Sequence, residues 1–567
     1  MNTPWTKNVD KGCPHGDYPR PQMVREGWVS LNGPWDYSIT KTTKQPTQYD
    51  GTITVPFSPE TQLSGVSLKV GPNDYLWYHR AFRLPETFEG NKVILHFGAV
   101  DQEADVWVNG FHVASHIGGY LPFESEISES LLGGLEVEIT VRVRDASDYK
   151  NFHTRGKQKL KRGGIWYTAQ SGIWQTVWME AVPASGYIKS LKIDPIYDNS
   201  CVFINADCEG EDIKPVAIFE ENSYELPARI PVPDFIPWSP ETPKLYHFDV
   251  VFGDDKVSSY FAMRKYSVEE DENGVPKFFL NNRPYFLNGL LDQGYWPDGL
   301  YTAPCDEAYV YDIAMAKTMG FNLLRKHMKI EPLRWYYHCD RIGMLVWQDM
   351  PSGGSRDFAS LRNTAPVIFG SNSGDGNYSA SGRGSAESRE EFIKEIGSMI
   401  TCLYNVPCIA AWVPFNEGWG QFDAAKICDY IMSMDSSRTV DHASGWHDRH
   451  AGDFKSLHVY FKKYRFKPDQ YGRAVVLSEF GGYAQAIQGH MYSNKEFGYK
   501  RTDSAAELEF ELKELYEEQI KPAVKEGLAG CIYTQLSDVE DEVNGLVTYD
   551  RRKMKLAPEV VKRIIEI

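Results

Sequence analysis

The stretch IAAWVPFNE, residues 409 to 417, decides the fold of this chain. Its apolar run has the composition of a buried strand, and the stretch ends on Asn416 and Glu417. An ionised carboxylate at the end of a buried strand is costly unless a partner compensates it. Read alone, such a pair more often indicates a helix cap or a salt bridge than a catalytic site, so its meaning depends on the rest of the chain.

Eight apolar runs of this kind follow one another in the C-terminal half, and amphipathic stretches separate several of them. In order, they read YFLNGL, FNLLRKH, MLVWQDM, IAAWVPF, TVDHAS, SLHVY, AVVLSEF and GCIYTQL. Eight strands, each followed by a crossover long enough for a helix or loop, predict a (β/α)8 TIM barrel. One intervening stretch, SREEFIKEIGSMITCLYN, has Ser388 and Glu391 at the spacing of a helix capping box.

The N-terminal part follows a period of two instead. EVEITVRVR, residues 136 to 144, alternates apolar and charged residues, as a half-solvated antiparallel strand requires. From about residue 184, short strands alternate with Pro-rich turns such as IPVPDFIPWSPETP, which indicates a second, smaller sandwich of immunoglobulin type. We therefore predict a multidomain chain with a β-sandwich over 1–183, an immunoglobulin-like β-sandwich over 184–270 and a catalytic TIM barrel over 271–567.

Length and composition exclude several classes of function. At 567 residues the chain is too long for a single core, and its formal net charge of −17 argues against nucleic acid as a partner. It contains neither a run of 18 apolar residues nor an apolar leader, so no membrane span or signal peptide is expected. The nine Cys are scattered without a C-x-x-C pair, which is typical of reduced thiols. We expect a cytoplasmic protein that binds neither nucleic acid nor membrane, with homo-oligomerisation open.

Polar residues follow the predicted barrel strands, whose carboxyl ends meet at one mouth in this fold. Glu417 follows the fourth strand and Glu479 ends the seventh, so the two carboxyls face each other across the barrel axis. Glycoside hydrolysis with retention needs such a pair, one carboxyl protonated to donate to the leaving oxygen and one ionised to attack the anomeric carbon. The candidates for substrate binding are Asp292, Arg325, His327, Asp349, Asn416, Trp419, His458 and Tyr460.

The neighbours of Glu417 predict its role. Trp412 and Trp419 flank it in the sequence, and burial against these rings would keep its carboxyl protonated. Asn416 can hydrogen-bond a sugar 2-hydroxyl, an interaction that strengthens in the transition state. These features favour Glu417 as the acid.

The second glutamate has a different setting. Arg325 and Tyr460 are placed to hold Glu479 ionised and oriented. The histidines of the mouth would suit a metal-dependent hydrolase, but they lack H-x-H or H-E-x-x-H spacing. We therefore expect no metal and no other cofactor.

A Gly- and Ser-rich segment, residues 351–387, follows the third predicted strand. It reads equally well as a flexible surface loop or as a lid that borders the substrate pocket. Long loops in compact barrels are uncommon unless functional, and this one emerges on the predicted catalytic face. We predict that it borders the pocket.

Several separated stretches resemble glycoside hydrolase family 2, whose members include β-galactosidases, β-glucuronidases and β-mannosidases. GWVSLNGPWDY, VDQEADVWVNGFHVASHIGGYLPFE and SGIWQTVWME are similar to the family's jelly-roll-like sugar-binding sandwich, and PWSPETPKLY and FAMRKYSV to its immunoglobulin-like domain. GFNLLRKH, WVPFNEG and VLSEFGG resemble its barrel signatures. The resemblance covers nearly the whole chain and implies Glu417 as acid/base and Glu479 as nucleophile, with Asn416, His458 and Tyr460 around them.

Departures from the family's motifs bear on the sugar. Where many members carry R-G-x-N-x-H-E and R-x-S-H after the first two barrel strands, this chain reads NGLLDQG and RKHMK. The N-x-K motif with which β-glucuronidases of the family bind a uronic carboxylate is replaced by EDEVNGLVTYDR, whose acids should repel a uronide, although Lys326 or Lys329 could supply a cation. We expect a retaining exo-β-glycosidase for small oligosaccharides or glycosides, β-galactosidase-like in specificity. A β-glucuronidase, β-mannosidase or arabinosidase and a non-catalytic carbohydrate-binding protein are the alternatives.

Overall fold

The computed structural model describes residues 1–210, 212–356, 366 and 372–567. Its N-terminal part contains two antiparallel sheets around one apolar core. In spatial order, the six-stranded sheet consists of Gly51–Val55, Gly33–Thr40, Tyr75–Arg83, Glu136–Arg144, Glu103–Val108 and Phe111–Ile117, and the four-stranded sheet of Trp28–Ser30, Val177–Val182, Lys92–Phe97 and Phe123–Glu126. The EVEITVRVR stretch is one of these strands, with alternating burial along its first half, so the period-two prediction is confirmed.

Short strand pairs complete this region. Val100–Asp101 pairs with Gly172–Ile173, and Gln158–Lys159 pairs with Tyr167–Thr168. The second of these pairs contacts the barrel, where Tyr167 and Thr168 hydrogen-bond Glu542 and Glu540. Short 3-10 helices lie at Thr6–Asn8, Glu86–Phe88, Ser128–Leu131 and Tyr197–Asn199.

The middle of the chain forms two further antiparallel sheets with a core of their own. The three-stranded sheet consists of Gly186–Ile196, Cys201–Gly210 and Ala228–Pro231, and the four-stranded sheet of Asn222–Glu225, Val216–Phe219, Tyr246–Phe252 and Asp255–Phe261. A third sheet, made of Tyr266–Glu270, Pro276–Leu280 and Arg283–Pro284, leads into the barrel. We propose domain limits of 1–183, 184–270 and 271–567, the last of which falls in the turn between Tyr266–Glu270 and Pro276–Leu280 of this connecting sheet.

The C-terminal part is a nearly closed barrel of eight parallel strands, as the apolar runs predicted. Its strands are β1 (Leu287–Asp292), β2 (Leu323–Lys326), β3 (Leu345–Asp349), β4 (Ile409–Val413), β5 (Thr439–Val440), β6 (Phe454–Val459), β7 (Ala474–Phe480) and β8 (Gly530–Tyr533). The sheet order runs β5, β4, β3, β2, β1, β8, β7, β6. At the seam between β5 and β6, the amide of Asp453 donates to the carbonyl of Val440 at 2.9 Å.

Helices surround this barrel. They are α1 (Asp306–Thr318), α2 (Leu333–Ile342), α3 (Ala386–Leu403), α4 (Ala424–Met434), α5 (Ala505–Leu515), α6 (Lys521–Glu526) and α7 (Pro558–Ile565), with a π-helical turn at Tyr516–Ile520 between α5 and α6. A short strand pair, Tyr483–Ala484 with Lys500–Arg501, lies between β7 and α5. In the residues that the structure describes, no helix is both long and apolar enough to cross a bilayer.

The start of α3 corrects the predicted capping box. The cap is Ser385, whose hydroxyl accepts from the amide of Ser388 at 3.0 Å. Ser388 lies inside the helix, where its hydroxyl donates to the carbonyl of Phe152 at 2.8 Å. Glu391 lies 2.7 Å from His153 Nδ1. Both residues of the predicted box therefore attach the barrel to the N-terminal sandwich.

Candidate active site

Glu417 and Glu479 meet at the carboxyl end of the barrel. Glu417 lies in the turn after β4, and Glu479 lies near the end of β7. One carboxylate oxygen of each, together with a ring nitrogen of His458, lie within 4.8 Å of one another. Retaining glycosidases hold their two carboxyls about 5 to 5.5 Å apart and inverting ones about 6.5 to 9.5 Å, so the short distance between these oxygens favours retention. The structure thus brings together the two carboxyls that the sequence paired.

The turn that carries Glu417 is held in an uncommon backbone conformation. Glu417 has a φ of +51°, in the left-handed region that residues other than Gly rarely adopt. Its amide donates to the carbonyl of Ser444 at 2.9 Å, which ties the turn after β4 to the segment after β5. His458 Nδ1 lies 2.8 Å from Glu417 Oε1, and His458 Nε2 lies 3.1 Å from the Ser444 hydroxyl. These contacts hold the carboxyl of Glu417 towards the mouth.

Arg325, at the end of β2, organises the floor of the site. Its guanidinium donates two hydrogen bonds of 3.0 Å to Asp349, one of 3.2 Å to Glu479 and one of 2.8 Å to the side-chain oxygen of Asn416. Burial by itself raises the pKa of Glu479, but the charges of His458 and Arg325 outweigh it and lower the pKa to about 2. Glu479 is therefore an ionised carboxylate at neutral pH.

Tyr460 binds the second carboxylate oxygen of Glu479. Its hydroxyl donates to Glu479 Oε2 and lies 3.1 Å from the Thr534 hydroxyl. Its ring is stacked on Tyr499, with 3.6 Å between centroids and 9° between planes. The ring is thus fixed by packing, and the hydroxyl is directed at the carboxylate that Arg325 also holds.

His327 presents a free acceptor to the site. Its Nδ1 lies 2.7 Å from Asp349 Oδ2, a carboxylate oxygen, so Nδ1 carries the hydrogen and donates. Burial lowers the pKa of His327 well below its usual value, so the ring is neutral and Nε2 is an acceptor. Within the described residues Nε2 is buried without a hydrogen-bond partner. Such an atom can accept a hydrogen bond from a sugar hydroxyl.

The hydrogen-bond partners of Asp292 are Lys326 and Gly294, not the two glutamates. Its carboxylate accepts from Lys326 at 2.6 Å and from the amide of Gly294 at 2.9 Å. Lys326 and Lys329 each donate to Glu331 at 2.8 Å. The two lysines that the sequence offered as cations for a substrate carboxylate are therefore already used inside a buried ionic cluster.

The two tryptophans that flank Glu417 in the sequence have different settings. Successive strand residues point to opposite faces, and Trp412 points towards the helices, where its indole donates to Asp435 at 3.0 Å. The prediction that Trp412 buries the acid was therefore wrong. Trp419 lies beside the mouth, donates to the carbonyl of Arg356 at 2.9 Å and packs edge-on against Trp166 at 5.0 Å.

The predicted lid, segment 351–387, is described mainly at its two ends. Residues 357–365 and 367–371 of the segment lie outside the described residues. Gly353 exchanges backbone hydrogen bonds of 2.9 and 3.2 Å with Arg155 of the sandwich. At the other end, the amide of Ser373 donates to His447 Nδ1 at 3.1 Å. The described ends lie beside Trp419 and the segment after β5, and the role as a lid stays a prediction.

The N-terminal sandwich contributes to the mouth, which the sequence reasoning missed. We call residues 151–170 the sandwich loop. It contacts the segment after β8, where Tyr167 donates to Glu542, Arg162 lies 2.8 Å from Asp541, and Glu540 accepts from a loop amide at 3.0 Å. These three acids, which the sequence predicted would repel a uronide, thus have partners in the sandwich loop. The available signal was five cations between 155 and 162 in a chain of strongly negative charge.

Glu417, His458 and Glu479 are also the group whose geometry suits a metal ion best within the part of the chain described. Arg325 and Tyr460 already donate to both oxygens of Glu479, however. A second cation would have to compete with the guanidinium at 3.2 Å, so the donor set fits a carboxylate nucleophile better than a metal ligand.

Comparisons with known proteins agree with this geometry. The model of the glycosyl hydrolases family 2 sugar binding domain matches residues 67–183, and that of the family 2 TIM barrel domain matches residues 275–565. Among curated relatives, a β-galactosidase of Thermoanaerobacter pseudethanolicus is 25% identical over 449 residues, which are 74% of this chain and 55% of that protein. A β-glucuronidase of Streptococcus agalactiae is 21% identical over 417 residues, 68% of this chain and 66% of that protein. The chain spans about half the length of the β-galactosidase.

Solved structures share the fold over nearly the whole chain. A β-glucuronidase from an uncultured Clostridium superposes with a TM-score of 0.75 at 20% identity and covers 96% of this chain and 99% of its own. A β-galacturonidase from Eisenbergiella tayi, bound to galacturonate, has a TM-score of 0.71 at 19% identity and covers 97% of this chain and 99% of its own.

Proposed function

The chain belongs to glycoside hydrolase family 2, and on that premise we propose that it is a retaining exo-β-glycosidase with Glu479 as nucleophile and Glu417 as acid/base. The observation that carries this assignment is the unequal setting of two carboxyls whose nearest oxygens lie within 4.8 Å. Glu479 accepts from a guanidinium and a phenol, which hold it ionised. Glu417 is hydrogen-bonded to His458 Nδ1 at 2.8 Å, and the same ring nitrogen lies 3.6 Å from Glu479.

The first half of the reaction forms a covalent intermediate. Glu479 attacks the anomeric carbon while the bond to the leaving oxygen breaks, and Glu417 gives its proton to that oxygen. A β-glycosidic bond thereby becomes an α-linked ester to Glu479. Arg325 and Tyr460 keep the nucleophile in place, and the amide of Asn416, whose oxygen is held by Arg325, faces the sugar 2-hydroxyl.

The second half releases the sugar. Glu417, now ionised, takes a proton from a water, and the water oxygen attacks the anomeric carbon and displaces Glu479. The two inversions leave the product with its β configuration. His458, hydrogen-bonded to Glu417 through Nδ1, orients the carboxyl in both halves.

Leaving-group dependence tests these roles, because only a poor leaving group needs a proton. We expect Glu417→Ala to lose most activity on alkyl glycosides or disaccharides but to give a burst of dinitrophenol from a dinitrophenyl glycoside. Glu479→Ala should lose both burst and turnover, since no leaving group replaces the attacking atom. Glu390→Ala, at an exposed position of α3, is the matched control. A burst from Glu479→Ala and none from Glu417→Ala would reverse the assignment.

The sugar itself has two candidates. A β-galactoside is the one predicted from the sequence, and it agrees with the name of the first curated relative described above. A β-hexuronide is the second, because the acids that argued against it are partnered by the sandwich loop. Hydrolysis of a panel of nitrophenyl galactosides, glucuronides, mannosides, glucosides and arabinosides decides between them.

A further inference from the structure

The sandwich loop lies directly over the end of β2. A Cβ placed on Gly156 would come within 2.8 Å of the carbonyl oxygen of Met328 and 2.7 Å of the Tyr301 hydroxyl, so the loop backbone touches the barrel there. The Gly156 amide donates to the Tyr120 hydroxyl at 2.7 Å. Met328 follows His327, which presents its free Nε2 to the site. The next loop residue, Lys157, is therefore at the mouth.

Lys157 is fixed at its backbone and unpaired at its ammonium. Its carbonyl accepts from the Tyr167 amide at 2.9 Å, next to the short strand pair of the loop. Its side chain is half-buried and, across the described residues, no hydrogen bond or ion pair involves its ammonium. Burial has the largest influence on the pKa values of Glu479, His327 and Glu542, and the charge of Lys157 contributes to each of them. The charge of Lys157 therefore acts on groups of the mouth, the proposed nucleophile among them.

We propose that Lys157, supplied by the N-terminal sandwich, binds the carboxylate of an acidic terminal sugar, so that this site takes β-hexuronides. The proposal rests on the retaining glycosidase mechanism proposed above and adds its substrate class. It places a specificity-determining residue outside the barrel, whose Lys326 and Lys329 are held by Glu331. The N-x-K motif is absent from the sequence.

An anionic group explains the position of this cation better than a neutral hydroxyl. A half-buried ammonium that makes no hydrogen bond or ion pair within the described residues gains most from a carboxylate, since charge-assisted hydrogen bonds are about twice as strong as neutral ones. Glu542 does not fill this role, because its carboxylate accepts from Tyr167. Burial raises the pKa of Glu542, and the charge of Lys157 opposes that rise.

Matched substrate pairs test the proposal. Nitrophenyl β-glucuronide and β-glucoside, and the corresponding galacturonide and galactoside, differ only in a carboxylate against a hydroxymethyl group. We expect the wild type to prefer one uronide over its neutral partner. Lys157→Met should lower kcat/KM for that uronide by roughly 10- to 100-fold, and for the neutral partner by no more than about threefold. Lys157→Arg should restore part of the uronide activity, because it restores the charge.

One control variant and one further substrate keep the outcomes distinct. Lys161→Met removes an exposed cation from the same loop and should leave the preference unchanged. A preference of the wild type for neutral sugars, or an equal loss on both members of a pair, would overturn the proposal, the second by showing that Lys157 acts on Glu479 and not on substrate. If only the hydrolysis of a 6-sulfated galactoside depends on Lys157, the anion that Lys157 binds is a sulfate ester and the proposed carboxylate is wrong. Inactivity towards the whole panel would instead contradict the proposed function.

Discussion

The hydroxyl of Tyr460 gives the sharpest test of how Glu479 is kept ionised. Tyr460→Phe removes the donor to Glu479 and retains the ring that stacks on Tyr499 at 3.6 Å, so the local packing survives. A hydrogen bond to a charged acceptor contributes about 1.5 to 3 kcal/mol, and one pH unit corresponds to about 1.4 kcal/mol. The substitution should therefore raise the pKa of Glu479 from about 2 by roughly one to two pH units.

The assay is the acid limb of kcat/KM against pH, which reports the ionisation of the essential carboxylate in the free enzyme. In Tyr460→Phe this limb should move to higher pH by roughly one to two units. Tryptophan fluorescence at each pH separates loss of ionisation from unfolding.

Tyr464→Phe is the matched control. Tyr464 is a buried tyrosine four residues further on, and its hydroxyl has no hydrogen-bond partner among the described residues. This variant should keep the wild-type limb. An unmoved limb in Tyr460→Phe, or equal shifts in both variants, would refute the account of how Glu479 is held.

Three further predictions concern the same site. Arg325→Met removes the guanidinium that Asp349 and Glu479 share as a buried counter-ion, so it should lower the free energy of unfolding in urea by about 3 to 5 kcal/mol. A loss below about 1 kcal/mol, the scale of exposed pairs, would contradict the ion network. The lowered pKa of Glu479 contributes stability that is fully present above about pH 4.5 and is lost as the pH falls towards about 2. Glu479→Gln should therefore lose less stability than the wild type over this pH range. Identical profiles of stability against pH in the two proteins would refute this prediction. Dialysis against EDTA should leave activity unchanged, whereas a loss restored by a divalent ion would favour a metal-dependent hydrolase.

The barrel and its paired glutamates could be predicted from the sequence for a physical reason. Strands of a parallel barrel are buried on both faces, so they read as continuous apolar runs, and the polar residue that ends a run is at the mouth. Glu417 and Glu479 follow this rule, and so do Arg325 and Tyr460.

The errors arose where the outcome depends on side-chain direction or on long-range contact. Ser385 and Ser388 are both acceptable caps, and what separates them is the contact of Ser388 with the sandwich. Trp412 is near Glu417 in sequence, but strand alternation turns it towards the helices. Lys157 lies hundreds of residues from the barrel glutamates, and no periodicity links a loop of one domain to the mouth of another.

Covalent trapping tests the central claim most directly. A 2-deoxy-2-fluoro glycoside with a dinitrophenolate leaving group, made on the sugar that the panel selects, should form a glycosyl-enzyme that hydrolyses slowly, because fluorine destabilises both transition states while the good leaving group keeps the first step fast. Mass spectrometry of the digested enzyme should find the fluorosugar on Glu479, within the peptide that contains β7. The label on Glu417, or turnover of the trapped sugar without any labelled peptide, would contradict the mechanism.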